Sequence, residues 1–457
     1  MPPRYKSKRP KSEFSTPLLP TLHPHAGGID IGARQIHAAV PPGSCSRPVR
    51  TFPTFTEDLH ALRDWLKECG VTTVAMESTG VYWIPLFQIL ETAGIEVCLV
   101  NARHCKNLPG RKTDVQDCQW LQYLHSVGLL RASFRPADQV CVVRTILRHR
   151  DGLVGGASRC VSHLHKALTQ MNVQLQHVIS DITGVTGLAI LEAILAGERD
   201  PQKLAALKDH RIKASRDTIA KSLCADWRPE HLFTLKQTYQ LWQNHQTLIA
   251  GCDEQIATLL AQFDSRIAAD APPMAAAKTT HRKPQRNEPQ FDARDQCYRV
   301  LGVDLTAVPG FATHTAVLLL CELGPLFADK FPTAKHFASW LGLCPDNRIT
   351  GGKIFSVRTR DVKSRIAEAL RLAAQSLFRA KNYFGDLFRR WRARLGTPEA
   401  ITAMAHKLAR VLWHMLKFKQ PFNPEVFANE EARMNKRKLA RLQNLATSLN
   451  YNLVPIQ

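Results

Sequence analysis

Between residues 26 and 135 the apolar spacing switches repeatedly between the two-residue period of a strand and the three-to-four-residue period of a helix. Few architectures accept such a chain, because each strand and each amphipathic helix has a face that must be buried against another element. "GGIDIGARQIHAAV" reads as two short strands around a glycine turn, and "RPVRTFPTF" as a third strand ended by Pro53. In "TEDLHALRDWLKECG", Leu59, Leu62 and Leu66 recur at helical spacing, with Thr56 in the cap position. "VTTVAMES" is a fourth strand, "VYWIPLFQILETAG" a helix, and "IEVCLVN" a strand apolar enough to be buried on both faces. "KTDVQD" opens a last helix. The order βββ-α-β-α-β-α specifies an α/β domain of three antiparallel strands followed by parallel additions.

Beyond residue 138 the strand period disappears. Val143, Ile146, Leu147, Leu153, Val154, Val161, Leu164, Leu168 and Met171 form one helical stripe; Leu232, Leu235, Tyr239, Trp242, Leu248, Ile249, Ile256, Leu259 and Leu260 form another. Two long helices around a small helical insert predict an antiparallel coiled coil. Arg144, Arg148, Arg150, Arg159 and Lys166 are expected on the polar face of the first, toward water or phosphates. The stretch 264–295 has no periodicity and is rich in Pro, Ala and polar residues, so it is expected to be a disordered linker. The predicted division is a disordered basic arm (1–25), the α/β domain (26–135), a helical coiled-coil region (136–263), a disordered insertion (264–298), a mainly helical C-terminal domain (299–425) and an exposed basic tail (426–457).

Of 457 residues, 61 are Lys or Arg and 39 are Asp or Glu, a net charge of +22, which points to a polyanionic partner, DNA or RNA. No run of about 18 apolar residues marks a membrane span. The N-terminus lacks the apolar centre of a signal peptide. Twelve cysteines are scattered without a CxxC pair, as expected of reduced thiols in a cytoplasmic protein.

In so basic a chain the acids are informative. Asp30 lies between Ile29 and Ile31, so if the isoleucines face one layer, Asp30 faces the opposite way. Glu77 ends the fourth strand, where strand ends of open α/β sheets carry sites. Asp114 and Asp117 fall in the first turn of the last helix, three apart and on one face. A capping box of Thr113 and Gln116, with the helix dipole, explains the last two acids structurally. Four carboxylates brought together would repel one another without cations, and an all-oxygen set selects Mg²⁺ or Mn²⁺. Such a site suits in-line phosphodiester chemistry. Arg111 and Lys112, just before it, are candidate phosphate contacts.

The D…E…D-x-x-D series resembles the RuvC-like, RNase H-like domain of the DEDD insertion-sequence transposases, the family of Piv-type invertases and bridge-RNA-guided recombinases. The blocks "AGGIDIGARQIHAAVPPG", "MESTGVYWIPLFQILETAG", "VNARHCKNLPGRKTDVQD", "VPGFATHTAVLLLCELG" and "ASWLGLCPDNRITGGKIFSVRTR" carry the likeness. It implies metal binding by Asp30, Glu77, Asp114 and Asp117, a homo-oligomer (dimer or tetramer), donor and target DNA, and a noncoding guide RNA. It also implies a nucleophilic serine directly before the glycine, five residues after the proline. Here Pro345 leads to Thr350, a departure; Ser356 is the alternative nucleophile. Gly351 and Gly352 admit close backbone approach, and Arg348, Lys353, Arg358 and Arg360 crowd the loop as candidate nucleic-acid contacts. Pro309-Gly310 suggests a helix-hairpin-helix turn, and Arg389, Arg390, Arg392 and Arg394 a basic cluster facing nucleic acid or water. The expected function is metal-dependent DNA strand cleavage and exchange through a covalent protein–DNA link. The alternatives are a nuclease that only hydrolyses and a decayed transposase that only binds.

Overall fold

The computed structural model describes residues 19–78, 80–101, 114–268, 274 and 287–451, with the side chains of Asp114, Val115 and Arg348 excepted. Arg111, Lys112 and Thr113, most of the N-terminal arm and the middle of the expected linker lie outside the described residues. Two compact units meet at Arg135 and Pro136 in the sequence.

The first unit is a mixed α/β layer. Strands β1 (Ala26–Ile31), β2 (Gln35–Ala39) and β3 (Val49–Pro53) form an antiparallel meander. Helix α1 (Thr56–Glu68) crosses to β4 (Thr73–Glu77), which runs parallel to β1. Helix α2 (Trp83–Thr92) crosses to β5 (Glu96–Val100), parallel to β4, and α3 (Asp114–Ser126) follows. The strand order is β3-β2-β1-β4-β5. Parallel neighbours need a crossover, and the amphipathic helices supply it while burying one face of the sheet. Leu59, Leu62, Trp65 and Leu66 of α1 and Leu86, Phe87 and Leu90 of α2 pack with Ile29, Ile31, Val74, Met76 and Leu99. On the other face Leu121 of α3 meets Ala75 and Val100. Thr56 is the first helical residue and Phe55 the cap, one position from the sequence expectation and within the ordinary fraying of helix ends.

The second unit is helical apart from one hairpin. Helices α4 (Asp138–Gln170) and α8 (Pro229–Ala261) are joined through α5 (Val185–Leu195), α6 (Pro201–Ala206) and α7 (Arg216–Ser222). The long pair is antiparallel: Gln139 bonds Gln262, Arg150 bonds Asp253, and the His245 ring fills the space a side chain at Gly156 would need. Leu164, Leu168, Ile190, Ile194, Leu204, Ile219, Leu235 and Trp242 share one core.

One of the arginines expected on the polar face of α4, Arg150, is buried instead, while Arg148 stays exposed but is ion-paired. The guanidinium of Arg150 is 1% exposed and donates to Asp253 Oδ1 at 2.6 Å and Oδ2 at 3.0 Å. That of Arg148 donates to Glu322 Oε1 at 2.8 Å and Oε2 at 2.7 Å. Apolar periodicity cannot see a polar pair buried inside the stripe. Arg150 also donates to the Asn287 carbonyl at 3.2 Å, and Asp253 accepts from Gln290 N at 3.2 Å, so the pair holds the chain as it re-enters the described residues.

Helix α9 (Ala293–Leu301) begins inside the segment expected to be linker, capped by Asp292. The remaining helices are α10 (Thr313–Leu323), α11 (Ala334–Trp340), α12 (Arg365–Ser376), α13 (Tyr383–Leu395), α14 (Thr397–Phe418) and α15 (Ala428–Ser448). Between α11 and α12, β6 (Arg348–Thr350) and β7 (Lys353–Ser356) form an antiparallel hairpin. The stretch expected to be a basic tail is thus largely the helix α15, attached through Met434, a Tyr383–Glu430 hydrogen bond and a Lys438–Asp386 ion pair. Among the described residues no helix is long and apolar enough to cross a membrane, and the described cysteines are free thiols.

Candidate active site

Asp30 and Glu77 fall on one face of the sheet. Register pairs Ile29 of β1 with Met76 of β4, so Asp30 and Glu77 are the next residues along two adjacent parallel strands. Ile29, Ile31 and Met76 are buried in the core under α1 and α2. Alternation therefore puts Asp30 and Glu77 on the opposite face, where both are half-buried.

Helix α3 closes on that face through a glycine. A Cβ at Gly28 would stand 2.2 Å from Gln122 N and 2.3 Å from the Cys118 carbonyl oxygen, so only a bare backbone lets the helix lie this close. The Gln122 amide donates to the Ala26 carbonyl at 3.1 Å and fixes the register of α3 on β1. The buried Cys118 thiol is pushed up to about 12, first by burial and then by the charges of Asp30 and Asp117. Asp30 of the strand and Asp117 of the helix therefore both lie near Cys118. Oδ1 of Asp117 is shielded from solvent. Asp114, the first residue of α3, lies one turn earlier; its side chain is outside the described ones.

Among the described residues no three His, Cys, Asp or Glu side chains already converge as a metal-ligand group. The donor types nevertheless suit a hard divalent cation: oxygen ligands only, two of them on adjoining strand positions, with Asp117 on the helix packed over the same face. His37 is a neighbour that sequence reasoning missed. It is the direct cross-strand partner of Asp30 on β2, and its Nδ1 lies 3.0 Å from Thr51 Oγ1. The signal was present in the alternation of β2, where His37 shares the outward face.

In the second unit Thr350 pairs with Lys353 across a two-residue turn. Gly351 and Gly352 both have positive φ, +56° and +76°, as the tightest hairpin turns require. Thr350 is exposed at the tip, and its hydroxyl makes no hydrogen bond to another described residue. Ser356, opposite Arg348, is half-buried; its Oγ accepts from Arg358 N at 3.3 Å. Lys353 and Arg358 are exposed, but the Arg360 guanidinium donates to the Ser339 carbonyl at the end of α11. The crowd of four cations expected there is therefore smaller. Pro309-Gly310 has a packing reason as well: a Cβ on Gly310 would stand 2.7 Å from the Ala373 carbonyl of α12. Within the arginine cluster of α13, Arg389 donates to the Phe378 and Ala380 carbonyls and to Asp386, which leaves less of it to face outward.

Comparison with known proteins matches two separate stretches of the chain, the first of which runs past Arg135 into the second unit. Residues 27–173 match a transposase family of the DEDD type, and residues 304–389 match the transposase IS116/IS110/IS902 family. The chain is 25% identical over 407 residues to the "insertion element IS110 uncharacterized 43.6 kDa protein" of Streptomyces coelicolor. That match takes in 85% of this chain and 93% of the relative.

Proposed function

Given that the chain belongs to the IS110 family of DEDD-type transposases and is a transposase-type enzyme, we propose that it cleaves and exchanges DNA strands by metal-dependent transesterification. The observation that carries the proposal is the placement of Asp30 and Glu77 side by side on parallel strands, with α3 laid across them. The strand order supports reading this unit as RNase H-like. Asp30, Glu77, Asp114 and Asp117 would hold Mg²⁺ or Mn²⁺. A divalent cation there supplies charge neutralisation at a phosphodiester and lowers the cost of an oxyanion.

The chain's own residues supply the rest. In this reading Thr350 is the nucleophile. Its Oγ1 forms a bond to phosphorus as the bond from phosphorus to the leaving deoxyribose oxygen breaks. The hydroxyl proton passes to a base, and the leaving oxygen is protonated in turn. Exposure at the tip of a hairpin is what a bulky phosphodiester needs to reach a β-branched alcohol. Lys353 and Arg358 would hold flanking phosphates, as would Arg348, Arg111 and Lys112, with the backbone of Gly351 and Gly352 admitting close approach. Family likeness adds a guide RNA and a homo-oligomer.

One observation favours a second reading, hydrolysis alone: the Thr350 hydroxyl has no hydrogen-bond partner among the described residues to activate it. Labelled DNA carrying the element's ends, incubated with Mg²⁺ and resolved under denaturing conditions, separates the two. Covalent attachment to wild-type protein, abolished in Thr350→Ala and in Asp30→Asn, is the expected result. Cleavage that survives Thr350→Ala without any attached product establishes hydrolysis, and cleavage that survives Asp30→Asn overturns the acid site.

A further inference from the structure

The cavity that the transposase reading leaves unused lies in the second unit, against α14. It encloses about 690 Å³, within the roughly 300–1,000 Å³ typical of small-ligand sites. Its floor is α14, which presents His406, Arg410 and His414 at four-residue spacing. Trp391 of α13 forms one wall, and the segment from Gln420 to Phe427 with Glu430 forms the other.

The charges facing the cavity do not cancel. Lys407 is matched: its ammonium lies 3.4 Å from Glu430, donates to Tyr383 Oη at 2.9 Å, and sits 4.9 Å from the Tyr383 and Phe427 ring centres. Glu430, the acid lining the cavity, is thereby taken, since it also accepts from Tyr383. Arg410 is exposed and makes no ion pair among the described residues. It stands beside two imidazoles, so the cavity has one unmatched permanent cation and two hydrogen-bonding rings. That combination suits an anion.

The aromatic lining narrows the choice. Phe427 is stacked on Tyr383 at 5.0 Å, and His414 on Phe418 at 5.7 Å, so those faces are in use. Trp391 makes no ring contact with another described residue, which leaves its indole free to receive a planar group. An anion carrying a planar ring, in a space too small for a duplex, is a single unpaired nucleotide. We propose that this cavity binds one unpaired nucleotide of a DNA or RNA strand, its base against Trp391 and its phosphate on Arg410. The site lies within one unit and needs neither the acidic residues nor Thr350, so it stands or falls apart from the proposed chemistry.

The test is photochemical. Full-length protein, without divalent metal, is irradiated with short single strands of DNA or RNA carrying 5-iodouracil, and the cross-linked peptides are identified by mass spectrometry. A cross-link to Trp391 or Phe422, from either strand type, supports the site, and the strand type that gives it names the source. Arg410→Gln, a change at an exposed position, should cut that cross-link about fivefold, as should Trp391→Leu through lost stacking. Asp30→Asn should leave it unchanged while abolishing cleavage. A fully paired duplex of the same sequence should give none there. Cross-links confined to other segments, or an unchanged yield in Arg410→Gln, would overturn the proposal.

Discussion

Gly28→Ala tests whether the site depends on how closely α3 lies on β1. One methyl group is added to a strand residue that carries no charge and contacts no ligand. Its ideal position lies 2.2 Å from Gln122 N, 2.3 Å from the Cys118 carbonyl oxygen and 2.8 Å from Gln122 Cα, whereas ordinary contact begins at 3.4 Å. All three atoms are helix backbone, so no rotamer change relieves the overlap, and α3 has to retreat by about 1 Å. Overpacking of this kind costs about 1–3 kcal/mol. In the proposed site a displacement of that size would also carry Asp117 away from Asp30 and Glu77, and misplacing a reacting group by about 1 Å can cost about 100-fold in rate. Gly152→Ala is the matched control: it lies in α4 with nothing within 4 Å of the new methyl and should be neutral or slightly stabilising. Urea midpoints and single-turnover cleavage with Mg²⁺ are the two measurements. The stability change is independent of any functional assignment; the rate loss belongs to the proposed site. A Gly28→Ala protein with wild-type midpoint and wild-type rate would refute the reasoning.

The buried Arg150–Asp253 pair yields a double-mutant cycle. Asp253→Ala should destabilise by about 3–5 kcal/mol, because it strands a buried guanidinium, whereas Arg150→Met with Asp253→Leu should recover most of that loss; a single-variant loss under about 1 kcal/mol in urea unfolding would exclude the arrangement. The same single variant should expose the chain around Asn287 and Gln290 to limited proteolysis. His125 predicts a pH dependence. Burial, then the nearby His23, lowers its pKa from the ordinary 6.5 to about 4, with Thr73 Oγ1 2.9 Å from Nε2. The folded state resists the proton that the unfolded chain accepts, so the contribution is complete above pH 6.5 and is lost as pH falls toward 4, amounting to roughly 3 kcal/mol. His125→Gln should flatten that part of the stability profile; parallel profiles for variant and wild type would count against it.

The sequence alone determined the order of elements, because strand and helix periods differ and each short apolar run carries its own period. It also determined the face on which Asp30 lies, since alternation about Ile29 and Ile31 is local. The long antiparallel helices were legible from their stripes for the same reason. What depends on two distant segments meeting was not legible. The helix pressed against Gly28 comes from nearly a hundred positions downstream, and only the fold brings it there. Arg150 looked like one more cation on a basic face, and its burial follows from an aspartate on the returning helix. His37 became a neighbour of Asp30 only once the register of β1 on β2 was set. The cavity beside Arg410 is walled by consecutive elements between Trp391 and Glu430, and only their packing opens the space between them. Local periodicity chose the parts; burial of their apolar faces against one another decided which polar groups would meet.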